Sequence, residues 1–171
     1  MVAVLFALLL AAMMAVGSGA NFNSTSANPG NVVTAGNLMH TNGKSGNPVL
    51  TVTKLKPGSS DSGTVSITNT GDIDGVFSIA KTINADSTAP GAPFADKLRL
   101  KVEDTTAGGP ALYDGVLSAM GTIGANTITP GAAHTYKFTV TFPDAGGANG
   151  SDNAYKGASV DVDFDWEAVN N

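Results

Sequence analysis

Three stretches of this chain place an apolar residue at every second position and a polar one between, and no other feature narrows its possible folds so far. Tyr136, Phe138, Val140 and Phe142 alternate with Lys137, Thr139 and Thr141. Val160, Val162, Phe164 and Trp166 alternate with Asp161, Asp163, Asp165 and Glu167, and Leu98, Leu100 and Val102 with Lys97, Arg99, Lys101 and Glu103. Successive side chains of an extended chain point to opposite sides, so a period of two dictates strands with one dry face and one wet face. Three such strands cannot bury their dry faces in one hairpin. Two antiparallel sheets packed face to face can, and the pattern predicts an all-β sandwich.

The rest of the chain agrees with strands. Short alternating runs predict them near Val32 to Leu38, Val49 to Leu55, Gly63 to Thr68, Val76 to Thr82, Leu98 to Asp104, Ala111 to Leu117, Ala133 to Phe142 and Ala158 to Val169. Lys56-Pro57-Gly58, Asn69-Thr70-Gly71-Asp72, Ala89-Pro90-Gly91-Ala92-Pro93 and Thr129-Pro130-Gly131 are turn chemistry, with Pro presetting φ and Gly accepting positive φ. A short helix between Asp114 and Met120 and a mobile Gly-rich loop from Asp144 to Asn153 complete the expectation.

At the N-terminus Val2 to Val16 is an uninterrupted apolar run followed by Gly17-Ser18-Gly19-Ala20, small residues of the kind a signal peptidase accepts. The reading is a signal peptide over residues 1–20, cleaved near Ala20, and one β-sandwich domain over 21–171, secreted to the cell surface or extracellular matrix. Membrane contact then ends with cleavage; a retained anchor is the alternative, although the run is shorter than the roughly 20 residues that cross a bilayer. The chain has no cysteine, so disulfides, thiolate nucleophiles and sulfur-ligated zinc are excluded. Its nine Lys plus Arg against fourteen Asp plus Glu leave no broad basic surface for phosphates, and nucleic acid is not an expected partner.

Catalytic constellations are not found. A catalytic zinc needs three protein ligands and an open position, yet the chain has only His40 and His134, neither in an HExxH. There is no GxSxG elbow and no GxxxxGK[ST] loop. The expectation is therefore no enzyme, no catalytic residue, no cofactor and no metal site. The row Asp161, Asp163, Asp165 and Glu167 has three open readings. It is a solvated face, a calcium site, or the partner of the basic row Lys97, Arg99 and Lys101, in a ladder within the domain or across a subunit boundary.

Ala20 to Leu38 (ANFNSTSANPGNVVTAGNL), Leu55 to Ile79 (LKPGSSDSGTVSITNTGDIDGVFSI) and Asp152 to Val169 (DNAYKGASVDVDFDWEAV) resemble the TasA/camelysin family of exported bacterial proteins, also called spore-coat-associated protein N-like. The resemblance implies a jelly-roll sandwich, export through a dedicated signal peptidase, and assembly into biofilm-matrix or surface fibres, with other matrix proteins as further partners. It also implies that the freed N-terminal segment of one subunit adds as a strand to the next. In this chain that donor is Asn21, Phe22, Asn23, Ser24, Thr25 and Ser26, with Phe22 as its large apolar anchor. The metalloprotease activity attached to the family through camelysin is not carried over, because the His pair it would need is missing. A secreted peptidase and a non-polymerising surface adhesin stand as the alternative functions.

Overall fold

The computed structural model describes residues 34–52, 54–89, 92–146 and 150–170. Ten strands follow one another: β1 (His40–Asn42), β2 (Ser59–Asn69), β3 (Gly75–Asp86), β4 (Thr88–Ala89), β5 (Ala92–Pro93), β6 (Arg99–Asp104), β7 (Tyr113–Val116), β8 (Ile123–Ile128), β9 (Ala133–Phe142) and β10 (Val160–Asn170). Five of them form one antiparallel sheet in the order β1-β2-β9-β6-β7, and three form a second in the order β10-β3-β8. No α-helix occurs among the described residues.

The alternation does what the sequence promised. On β9 Tyr136 and Phe138 are 0% exposed, and Leu100 and Val102 on β6 are equally sealed. They meet Phe77 and Ile79 of β3 in one core with Val65, Ile67 and Ile128. Aromatic contacts join the layers: Tyr136 lies 4.6 Å from Trp166 and Phe138 4.6 Å from Phe164, centroid to centroid. At one end Phe94, Phe142 and Tyr155 close a second aromatic group, with Phe94 edge-on to Phe142 and stacked on Tyr155.

Several expectations are corrected. Residues 34–38 carry no strand, and the first strand among the described residues is β1, where His40 faces Asn69. Val49–Leu55 is not a strand either. The turn after β1 folds the chain inward, with Lys44 N–H donating to the Asn42 side chain and Asn47 N–H to the Lys44 carbonyl. The Val49 carbonyl then lies over Gly63, so close that a Cβ there would stand 2.1 Å from it, and Lys54 leaves the extended region at φ 61°. Local hydrogen bonding thus overrides alternation in this segment. The helix placed between Asp114 and Met120 is strand β7 followed by a single 3-10 turn, Leu117–Ala119. The loop at Asp144 to Asn153 ends in a 3-10 helix, Ser151–Tyr155, that buries Tyr155; residues 147–149 lie outside the described part.

Four strands were not expected: the short β1, β4 and β5, and the longer β8. β8 breaks its own alternation with a bulge opposite Val76 to Ser78, where Asn126 takes φ 70°.

Candidate functional site

Two places on the sandwich concentrate chemistry: a polar floor at one end of the core, and the outer border of β10.

The floor arises because three inward rows of the large sheet end on polar residues. Val65 and Ile67 lead to Asn69, Leu100 and Val102 to Asp104, and Phe138 and Tyr136 back to His134. The register sets them side by side, with Ile67 opposite His134 and Asp104 opposite Tyr136. The Asp104 side chain is 1% exposed and His134 17%. Oδ1 of Asp104 accepts the backbone N–H of Thr106 at 2.9 Å and of Ala107 at 3.0 Å. Oδ2 accepts Asn126 Nδ2 at 2.8 Å from the other sheet, and lies 2.6 Å from His134 Nδ1. Burial alone would raise this carboxyl. The Ala107 N–H, the Asn126 amide, the His134 ring and the Thr106 N–H outweigh it and hold the group below its ordinary value. An ionised carboxylate only accepts, so His134 Nδ1 is the donor of this contact. Asn69, 0% exposed, donates to the carbonyls of Ile73 and Ile128 and accepts Gly71 N–H.

An Asp-oriented imidazole is half of a nucleophile-activating arrangement. The hydroxyls around it are committed to backbone, Thr105 donating to the Thr135 carbonyl, Thr106 accepting the Thr135 N–H and Tyr136 donating to the Ala125 carbonyl, and the Tyr136 ring lies against the imidazole. Burial, reinforced by the Asp104 charge, raises that phenol well above its usual range, away from any acid-base use near neutrality. The arrangement clamps β6, β9 and β8 together. His134, at the start of β9, is thus drawn inward onto Asp104, and no group of three or more His, Asp or Glu suited to a metal occurs among the described residues. His40 packs edge-on to Phe77 at 5.5 Å. An open cleft of about 620 Å³ lies between Ala35, Gly36, Asp72, Ile73, Asp74, Pro130 and Asn170.

The charged rows are not brought together. Asp161, Asp163, Asp165 and Glu167 line the exposed face of β10 in the small sheet, whereas Arg99 and Lys101 stand on β6 in the large one. A ladder between them inside the domain is excluded by topology. The cations have other partners: Arg99 bonds Asp114 at 3.0 Å, Lys101 bonds Glu103 at 2.7 Å, and Lys97 lies 6.0 Å over the Tyr155 ring. The acidic row has neutral neighbours on β3, with Asn84 donating to Asp163 at 2.8 Å and Thr82 reaching Asp165 at 3.5 Å. Among the described residues it forms no ion pair.

The border itself is the second feature. The two sheets offer four outer strands: β1 has 3 residues, β7 has 4, β8 has 6 and β10 has 11. β10 pairs with β3 along its whole length and, among the described residues, with nothing on its other side. Its inward row Val160, Val162, Phe164, Trp166 and Ala168 is only half-buried, while Phe77 and Ile79 on the adjacent strand are sealed. Trp166 Nε1 is buried without an acceptor. A core covered by five strands on one side and three on the other is thus left thin where β10 ends it. The donor residues Asn21 to Ser26 lie outside the described part.

No protein-family model matches the chain, and no curated protein matches it.

Proposed function

We propose that this chain is an exported structural protein, a subunit of extracellular or cell-surface fibres that assembles when the N-terminal segment of one copy adds as a strand to the next. The observation that carries the reading is the outer border of β10, an 11-residue strand that pairs with β3 on one side and, among the described residues, with nothing on the other, and whose apolar row is half covered. Such a border offers a row of main-chain donors and acceptors, and a strand laid along it gains hydrogen bonds while covering apolar surface. The apolar run Val2 to Val16, the small residues before Asn21 and the resemblance to the TasA/camelysin family support the same reading. In that reading the sandwich is a jelly roll completed in trans, cleavage near Ala20 frees the donor, and the fibre is non-catalytic.

Phe22 is the large apolar residue of Asn21 to Ser26. Burying a Phe side chain is worth about 1.5–3 kcal/mol, and about 1.4 kcal/mol is tenfold in an equilibrium constant. Electron microscopy of the chain beginning at Asn21 is expected to show filaments. The chain beginning at Ala27 is expected to show none, and Phe22→Ala should raise the critical concentration at least ~10-fold. Monomers from all three would reject the proposal.

A further inference from the structure

We infer that the acidic row of β10 is a selectivity device: it keeps this border from pairing with the same border of a second copy and reserves it for a strand without acidic side chains. The inference rests on the strand-donation reading for its occupant, the leader-proximal segment of a second copy, but not for its geometry. A long free edge with alternating apolar residues is a template for its own kind. Two β10 strands laid antiparallel about a two-fold axis at Phe164 would match Val162 with Trp166 and so merge both apolar rows on one side. The same register sets Asp163 against Asp165 and Asp161 against Glu167, four carboxylates from each copy in adjacent rows. Cross-strand partners stand about 4.5–5.5 Å apart, where like charges repel. Because the side-chain period is two, every register that aligns the apolar rows also aligns the acidic ones.

The row has no cation of its own to relieve this repulsion among the described residues, since the nearest β3 side chains are Ser78, Ala80, Thr82 and Asn84. The proposed donor meets no such barrier. The first Asp, Glu, Lys or Arg in the whole chain is Lys44, so the segment from Asn21 onward brings amides and hydroxyls to the carboxylates. Edge-to-edge dimerisation, which would cap the border, is thereby disfavoured relative to donation, which extends the polymer.

The test compares two neutralised forms of the full chain, each carrying Phe22→Ala to suppress donor-driven association. One removes the row (Asp161→Asn, Asp163→Asn, Asp165→Asn, Glu167→Gln). The other removes the same charge elsewhere (Asp61→Asn, Asp74→Asn, Asp96→Asn, Asp144→Asn). In sedimentation equilibrium the first is expected to self-associate on the order of 10- to 100-fold more tightly than the unneutralised chain, with new hydrogen-exchange protection over 160–170. The second should match the unneutralised chain, and added salt at about 1 M should move the unneutralised chain toward the first. Equal self-association of both neutralised forms, or of neither, overturns the inference. Filaments scored separately by microscopy of the chain beginning at Asn21, with Phe22 intact, keep the two ideas apart: filaments there without a β10 dimer in the neutralised form leave donation standing and remove the selectivity, and a β10 dimer without filaments does the reverse.

Discussion

Asp104 shows how one side chain ties the two sheets. It satisfies two backbone N–H groups, an amide from the other sheet and an imidazole, all from a site 1% exposed. Replacing it by Ala leaves those donors unmet in a nearly dry place, so Asp104→Ala should lower the unfolding free energy by about 2–4 kcal/mol in a urea titration. Its folded carboxyl lies below the ordinary range, so its contribution is complete above the unfolded value of about 4. The contribution is lost as pH falls through the lower folded value. Stability measured from pH 6 downward should therefore drop below about pH 4, and Asp104→Asn should flatten that drop. Trp166 is the opposite case. Its buried N–H has no acceptor, and Trp166→Phe removes that cost along with some contact, so the change should stay within about 1 kcal/mol.

At the scale of the element, Gly63 decides how the chain passes from β1 to β2. The Val49 carbonyl occupies the space a side chain would take, and the obstacle is backbone rather than a flexible tip. Gly63→Ala should cost about 1–3 kcal/mol and speed tryptic cleavage after Lys54, read by mass spectrometry of a limited digest. That segment also marks where legibility ends. Strands β9, β10 and β6 could be read because their alternation is unbroken, and β9 runs over the residues expected of it. Val49–Leu55 alternates less cleanly, with Val49 and Leu50 both apolar and Lys54 in the row of Leu50 and Val52, and the turn hydrogen bonds that precede it leave no trace in periodicity. β8 was missed because its bulge and Gly124 interrupt the period. The polar floor was legible in principle: continuing the rows Leu100-Val102 and Phe138-Tyr136 by one step places Asp104 and His134 indoors. What no single row reveals is that those steps end side by side, since that depends on the register between strands. The acidic row was seen, and which sheet it stands on was not, for the same reason.

At the scale of the molecule the decisive asymmetry, among the described residues, is five strands against three. The short borders β1 and β7 and the bulged β8 end their sheets in ways that resist further pairing, whereas β10 is long and half covered on its inner side. In the proposed reading, that asymmetry gives the molecule a direction for growth, and the carboxylates along it choose what is added. The most direct measurement is residue-resolved hydrogen exchange on Val160–Asn170 in the monomer and in assembled material. The amides of β10 that do not bond to β3 should exchange freely in the monomer and slow by at least ~100-fold in the assembly, as in newly paired strands. Assemblies in which those amides still exchange freely, or monomers in which they are already protected, would contradict the account.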